Sequence, residues 1–352
     1  MHFSSLLLPC PAGAEAPRPR VRLLRFGCVE EAEILLRRAG LAIELLQLCG
    51  GALEGDLLLL RTGPLKLLRI RLSLPVHVRG PKPPGHQVVT MALDPAGRLP
   101  PLRAHGHLLP GACLFGLAPS GEIHLVTAAS THLALVLLER HRFRDLGEAL
   151  GIPSLEERVL AGNWLSLDPG RYEALRVHLL GLFAVAEAEP QLMGVPALER
   201  LAWEDLMPLL LEALVHGGEQ RRDLLRPPAR IELVKLAQRW MLEHPCQPIS
   251  LDALCREVHA GRRSLIQGFR EHLGMGPMAF LKLQRLHALR RLLRTSDPRQ
   301  TRIQQLAADW GFLNPGHFAR DYRLLFGELP SETLGRRAGR PQGAERSARA
   351  AS

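Results

Sequence analysis

The chain has 352 residues, with 45 Lys and Arg against 35 Asp and Glu, a formal net charge of +10 at pH 7, and 46% hydrophobic residues. This length allows two or three domains with their own cores, and the composition is ordinary for a globular protein. No apolar run is long enough to cross a bilayer, and the six cysteines show no C-x-x-C spacing. We therefore expect a cytoplasmic protein with reduced thiols, without a zinc site and without a membrane-spanning segment.

The N-terminal part is predicted to contain a tail and a β-rich domain. Residues 1–20 have no basic start and only a short apolar run at 6–8, so we expect a disordered tail rather than an export signal. In residues 21–155, a helix over 30–41 precedes short apolar runs that prolines and glycines separate. Such runs predict a small antiparallel barrel or sandwich, although leucine-rich runs are also compatible with buried helix. The runs are DLLLLRTG, LKLLRIRLSLPVHVRG, HQVVTMAL and THLALVLLER.

Two histidine patterns in this domain are candidates for chemistry. One is the H-x-H of His105 and His107, and the other is a P-x-G-x-x-H run that ends at His124 and resembles part of a cupin motif. A metal site of this kind also needs a carboxylate a few residues after H-x-H, but no acidic residue lies between His107 and Glu122. We therefore predict no metal and no cofactor, with the histidines as ordinary core or surface residues.

Residues 156–218 are predicted to be helical, because segments 155–161, 169–188 and 196–216 repeat apolar residues every three and four positions. The last segment is interpreted either as a dimerisation helix or as a helix that packs against the β domain. Pro208 is expected to interrupt it, which argues against a long coiled coil. Residues 219–230, which include Pro227 and Pro228, are predicted to be a linker.

One pattern occurs twice in the C-terminal part, over residues 249–269 and 301–322. Each copy predicts a short amphipathic helix, a tight turn and a second short helix. A small residue follows the central leucine in both copies, Cys255 and Ala307, where two steeply crossing helices must approach closely. The predicted core positions of the two copies are Leu251, Leu254, Val258, Leu265 and Phe269, then Ile303, Leu306, Trp310, Phe318 and Tyr322.

The residues at the predicted helix ends agree with this interpretation. Asn314 is a favourable N-cap, and Pro315 suits the first helical position that follows it. Gly261 occupies the equivalent capping position in the first copy. A longer helix that begins at Gly276 and Pro277 is predicted to join the two copies. Two helix-turn-helix units on one linking helix can place two short helices in successive turns of the DNA major groove.

The positive charge of the chain lies in the same region. Residues 221–340 contain 22 Lys and Arg against 11 Asp and Glu, so their net charge is +11, whereas the remainder of the chain carries −1. A solvated basic helix face is the alternative explanation for charge alone. Its coincidence with a duplicated helix-turn-helix pattern favours binding to double-stranded DNA, whose phosphates must be neutralised.

Residues 231–335 resemble the DNA-binding domain of the AraC/XylS family of regulators. The resemblance rests on the A-x-x-x-G-F run at 307–312, on Pro330 and on the dense match around the two units. Within the family, the match is most similar to regulators of bacterial ethanolamine-utilisation operons. The family implies an α+β multidomain chain: a cupin-like antiparallel β barrel or sandwich with flanking helices, and a C-terminal all-α domain. Residues 336–352 are predicted to be a disordered basic tail.

The same resemblance implies that the early residues of each second helix contact bases. Arg263 and Arg320 can each donate two hydrogen bonds to guanine, and Gln267 can pair with adenine. Gly316 has no side chain for base contact, so the second unit is predicted to depend mainly on Arg320. Arg262 suits a phosphate contact as well as a base contact. The predicted DNA-binding residues are Arg262, Arg263, Gln267, Gly316, His317 and Arg320.

Three functional hypotheses follow. The first is a transcription regulator whose N-terminal domain binds a small-molecule effector, acting as a homodimer that contacts RNA polymerase. The second is a DNA-binding regulator whose N-terminal domain binds only protein. The third is an enzyme fused to a DNA-binding domain, either a methyl acceptor with a nucleophilic cysteine or a metal-dependent cupin. We predict no catalytic residue, because the chain lacks clustered cysteine ligands and the cupin carboxylate.

Overall fold

The computed structural model describes residues 20–118, 121–149, 162–217 and 230–335. The strands are β1 (Val21–Phe26), β2 (Glu44–Gln47), β3 (Gly55–Thr62), β4 (Leu65–Leu72), β5 (Val76–Pro81), β6 (His86–Ala92), β7 (Arg103–Ala104), β8 (His107–Leu108), β9 (Cys113–Phe115), β10 (Glu122–Val126), β11 (Thr131–Glu139) and β12 (Trp164–Ser166). The helices are α1 (Val29–Arg38), α2 (Arg140–Ala149), α3 (Pro169–Ala188), α4 (Pro196–His216), α5 (Ile231–Glu243), α6 (Leu251–Glu257), α7 (Arg262–Leu273), α8 (Pro277–Thr295), α9 (Ile303–Asp309), α10 (Pro315–Phe326) and α11 (Pro330–Gly335).

The N-terminal domain consists of two antiparallel sheets. The strand order is β1-β3-β4-β11-β6-β9-β12 in the seven-stranded sheet and β2-β5-β10-β7-β8 in the five-stranded sheet. One apolar core lies between the sheets, and a second lies between the seven-stranded sheet and helices α3 and α4. The α+β architecture predicted from the sequence is confirmed.

Both faces of strands β3, β4 and β11 in the seven-stranded sheet are largely buried, which explains their leucine-rich sequences. In β3, Leu57 and Leu59 belong to the core between the sheets, whereas Leu58 and Leu60 pack towards α3 and α4. Because side chains alternate along a strand, a strand covered on both sides needs a continuous apolar run. The runs that were also compatible with buried helix are therefore strands.

Helices α3 and α4 have the predicted limits, 169–188 and 196–216. The Asp168 carboxylate caps α3 by accepting from the backbone amides of Gly170 and Arg171. The expected interruption at Pro208 is wrong, because α4 continues through it from Pro196 to His216. Most large side chains of α4 are buried in the core between this helix, α3 and the seven-stranded sheet, although Leu201 is 50% exposed.

Several predicted segments differ from the structure or lie outside it. The helix predicted over 30–41 spans Val29–Arg38. Strand β12 falls in the segment predicted to be helical and pairs with β9. The predicted helix at 155–161, the linker at 219–230 and the tails at 1–20 and 336–352 lie outside the described residues, apart from Arg20 and Arg230.

The C-terminal domain is helical and contains the two predicted helix-turn-helix units, α6–α7 and α9–α10, joined by α8. Its core is continuous across both units and also includes Leu46 and Val126 of the five-stranded sheet. The two domains therefore pack directly against each other. Four residues predicted to be in the core are only half-buried, although they pack against it: Leu251, Ile303, Leu306 and Trp310, the last at the end of α9.

Candidate nucleic-acid interface

The first unit turns one face of α7 inward and leaves the other exposed. The Ser250 hydroxyl caps α6 by accepting from the Ala253 amide at 3.1 Å, and Gly261 caps α7 without a side chain. Leu265 and Phe269 of α7 are fully buried. Since helical neighbours lie three and four residues apart, the predicted contact residues fall on the opposite, exposed face.

The three predicted contact residues of α7 differ in their partners. Arg262 is paired with the Asp252 carboxylate of α6. The Gln267 amide nitrogen donates to Glu271 Oε1 at 2.9 Å, which leaves its second N–H and its carbonyl oxygen for a base. Arg263 is exposed and has no ion pair with any described residue. Arg263 is therefore the residue of this helix that is best prepared to contact a base.

The second unit has the predicted cap. Asn314 Oδ1 accepts from the His317 amide at 3.0 Å, and Pro315 occupies the first turn of α10. Phe318 and Tyr322 are buried. Gly316, His317 and Arg320 are exposed on the same helix, and Arg320 has no ion pair within the described part of the chain. All six predicted residues thus lie on exposed surfaces of α7 and α10.

The sequence analysis did not identify Leu313, which precedes the Asn314 cap. Leu313 is 87% exposed, the largest exposure among the exposed large apolar side chains of the described residues. A hydrophobic residue before an N-cap often packs back onto its own helix, but here the Phe312 ring contacts Phe318 instead, with ring centroids 5.1 Å apart. An apolar side chain at this position can contact a thymine methyl group.

Exposed arginines surround the two units. Besides the predicted contact residues, they are Arg230, Arg239, Arg256, Arg270, Arg299, Arg302 and Arg323. Their guanidinium groups suit phosphate contacts, which position a protein on the duplex without discriminating sequence. This distribution agrees with the +11 charge of residues 221–340.

An apolar cavity of about 90 Å³ lies inside the N-terminal domain. Its wall is mostly aliphatic and includes Leu36 of α1 and Leu45 of β2, with Lys82, His105 and His124 among the few polar residues. Burial lowers the pKa of Lys82 to about 8 and the pKa values of His105 and His124 to about 4. The cavity has room for a small organic molecule, and the one ammonium group in its wall donates to Gly116 O, Ala118 O and Asn163 Oδ1.

The two predicted histidine patterns meet only in part, with the ring centroids of His105 and His124 6.3 Å apart. His105 and His124 border the cavity, but His107 is not among its lining residues. The His124 ring instead contacts His77, with their Nε2 atoms 3.1 Å apart. In the described ranges, no group of three or more His, Cys, Asp or Glu side chains is arranged to hold a metal ion. In the same ranges, no helix has the length and apolar character needed to span a bilayer.

Comparison with known proteins defines the class of the C-terminal part. Residues 254–336 match a family model described as a helix-turn-helix domain. Together with the two units seen in the fold, this match makes the C-terminal part a helix-turn-helix domain, the class that binds DNA through its second helix.

The relatives are transcription regulators. The chain is 34% identical over 185 residues to the "Probable thc operon regulatory protein" of Rhodococcus erythropolis, covering 51% of this chain and 50% of the relative. It is 37% identical over 91 residues to "XylDLEGF operon transcriptional activator 3" of Pseudomonas putida, covering 26% of this chain and 28% of the relative. A solved "probable AraC family transcriptional regulator" from Rhodopseudomonas palustris CGA009 is 37% identical. The match covers 30% of this chain and 96% of the solved chain, with a TM-score of 0.28.

The chain is thus similar, over part of its length, to proteins named as regulators of transcription. The chain spans about half, or less, of the length of the two curated relatives. These relatives belong to thc and Xyl operons, so the closer similarity to ethanolamine-operon regulators stays an expectation.

Proposed function

We propose that the chain is a sequence-specific, DNA-binding transcription regulator that places α7 and α10 in successive major-groove turns. The observation that carries this proposal is the pair of helix-turn-helix units, each with an exposed arginine in its second helix, Arg263 and Arg320, that forms no ion pair with a residue in the described part of the chain. A guanidinium group in that position can donate two hydrogen bonds to a guanine edge. The relatives are also regulators, and we propose no catalytic role.

The test is selection of duplexes from a random-sequence pool by the full chain. We expect enrichment of a motif with two half-sites about one helical turn apart. Arg320→Ala should relax one base position of that motif and weaken binding by about 1–3 kcal/mol. Arg38→Ala, which removes an exposed arginine of α1, is the matched control and should leave the motif unchanged. Failure to enrich any motif would contradict the proposal.

We further infer that the N-terminal domain binds a small apolar effector that carries one acceptor group. The support is the mostly aliphatic cavity and the Lys82 ammonium, which donates to Gly116 O at 3.2 Å, to Asn163 Oδ1 at 3.1 Å and to Ala118 O, and would exchange one of these acceptors for the effector. Lys82 has no carboxylate partner among the described residues. A thermal-shift screen of small organic acids and neutral analogues tests this inference, and Lys82→Met should abolish any shift that depends on the acceptor group.

The second hypothesis, an N-terminal domain that binds protein, is supported by the outer face of α3. This face exposes uncharged residues at helical spacing, which suits contact with a second copy of the chain: Ala174, Val177, Gly181, Ala184 and Val185. Val177→Glu should reduce the sedimentation coefficient of a homodimer, whereas Val195→Glu, at another exposed valine, should not. The effect of the chain on RNA polymerase would be measured by transcription in vitro from a selected site.

A further inference from the structure

Helix α1 of the N-terminal domain and the linking helix α8 face each other through three acid–arginine pairs. Arg291 Nη2 lies 2.7 Å from Glu33 Oε1, and Arg294 Nη2 lies 3.3 Å from Glu31 Oε1. The third pair, Arg290 with Glu30, is longer at 3.8 Å and fully enclosed. Because α8 joins the two helix-turn-helix units, these pairs attach the N-terminal domain to the element that sets the spacing of α7 and α10.

One of the three pairs also binds the backbone of the cavity wall. The Leu45 amide donates to Glu33 Oε1 at 2.7 Å, and the Leu45 carbonyl accepts from Arg291 Nη2 at 3.2 Å. Both polar groups of this residue are therefore held by the pair between α1 and α8. The Leu45 side chain points the other way, into the core between the sheets, and lines the cavity.

The residues that follow Leu45 in β2 continue the contact with the C-terminal domain. The Leu46 side chain, on the opposite face of the strand, is part of the C-terminal core. The Gln47 carbonyl accepts from His287 Nε2 of α8 at 3.2 Å, and its side-chain amide donates to Leu325 O of α10 at 2.8 Å. Strand β2 is thus a single layer between the cavity on one side and α8 and α10 on the other.

We propose that Leu45 and the Glu33–Arg291 pair transmit occupancy of the cavity to the linking helix α8, and so set how well the two units fit DNA. This inference rests on the proposed function. A molecule larger than the empty space would displace the Leu45 side chain in the cavity wall, and the backbone of Leu45 cannot move without changing its hydrogen bonds to Glu33 and Arg291. Coupling of this kind requires that the chain with a filled cavity and the chain with an empty cavity differ in their affinity for DNA.

The pairs between α1 and α8 are suited to such a change. Burial outweighs the attraction of Arg291 and raises the pKa of Glu33, so the charged form of this carboxylate is held at a cost. A partly desolvated ion pair gives little net stability but is sensitive to small displacements of either partner. The Glu31–Arg294 pair, on the same two helices, contacts Cys28 and Gly27 and no cavity-lining residue. It is therefore a matched control.

The experiment fills the cavity by mutation, since no effector needs to be known. Leu135→Phe adds volume at the cavity wall from the seven-stranded sheet. The full chain is compared with and without this substitution in three backgrounds: unmodified, Arg291→Gln and Arg294→Gln. The dissociation constant is measured for a duplex that the unmodified chain enriches from a random pool. Circular dichroism checks folding, and Val88→Phe replaces Leu135→Phe if the first variant does not fold.

We expect filling the cavity to change the dissociation constant at least ~5-fold in the unmodified chain. In Arg291→Gln the same substitution should change it less than about twofold, whereas in Arg294→Gln the full effect should persist. Two results would overturn the proposal: no effect of the filled cavity in the unmodified chain, or an equal effect in the presence and absence of Arg291.

Deuterium exchange separates failure of this inference from failure of the proposed function. If the chain enriches no duplex, the proposed function fails, and the coupling is then judged from exchange of residues 286–295 in α8. Filling the cavity should alter this exchange in the unmodified chain and in Arg294→Gln, but not in Arg291→Gln. Unchanged exchange in the unmodified chain would reject the coupling independently of DNA.

Discussion

At the scale of single residues, burial separates side chains that the sequence pattern treats as equivalent. Trp310 and Phe318 were both predicted to be core residues of the second unit. Trp310 is half-buried, whereas Phe318 is 3% exposed. Trp310 is the C-cap of α9, at the point where the helix ends. Apolar spacing identifies the side of a helix that faces the core, but the depth of each side chain depends on what covers the helix end.

This difference predicts unequal costs for truncation. Phe318→Ala should lower the free energy of unfolding by about 3–5 kcal/mol, as expected for a buried aromatic side chain. Trp310→Ala should cost roughly half as much, because part of its ring is already in contact with water. Chemical denaturation of the full chain, followed by circular dichroism, measures both values. Equal losses would show that Trp310 contributes as a fully buried residue.

At the scale of elements, the contact between the domains depends on a close approach of backbones. A Cβ atom at Gly50, in the loop after β2, would lie 2.4 Å from Leu324 O near the end of α10. The neighbouring Gly51 amide donates to Leu325 O at 3.2 Å. Only glycine allows this approach, so the loop and the end of the second recognition helix fit each other without intervening side chains.

Gly50→Ala should therefore separate the loop from α10 while each domain stays folded. We expect faster deuterium exchange at Gly51 and in residues 322–326, together with a lower thermal midpoint. Gly97→Ala is the control, because a Cβ atom there meets no atom within 4 Å and the backbone is not in the left-handed region. Unchanged exchange at residues 322–326 would mean that α10 does not need this contact.

At the scale of the whole molecule, the two domains share a polar interface as well as a continuous core. His77 and His124 of the five-stranded sheet are buried beneath the C-terminal domain, where His77 approaches the Phe280 ring and His124 lies 3.4 Å from Gln238 Oε1. His287 of α8 is also fully buried. Burial lowers the pKa of each of these histidines below its ordinary value. The buried interface between the domains therefore favours the neutral form of these three histidines.

Stability should consequently fall in acid. Burial lowers the pKa of His287 to about 4, against 6.5 for an unperturbed side chain. Between these values the unfolded state binds a proton that the folded state does not, so the free energy of unfolding decreases as pH falls from about 6.5 to about 4. The contribution is roughly 3 kcal/mol for one such histidine. His287→Gln should reduce the slope of unfolding free energy against pH, and an unchanged slope would contradict a buried neutral His287.

The sequence alone determined the helix-turn-helix units, because local signals specify them. The spacing of apolar residues, the Asn314 cap with Pro315, and the concentration of arginine all act within a few turns of helix. Helices α3 and α4 were predicted from the same kind of signal, except that surrounding contacts let α4 continue through Pro208. Arg263 and Arg320 were predicted from the resemblance to the AraC/XylS family, and both are exposed on their helices.

Only the tertiary structure decided how the two domains meet. Glu33, Leu45 and Arg291 are brought together although Arg291 lies 258 residues from Glu33 along the chain. No local pattern encodes such a contact, since a glutamate or arginine on a helix surface has the same spacing whether it faces water or another domain. The cavity has the same origin: its wall combines alternate residues from both sheets, and the space between them depends on how the sheets pack.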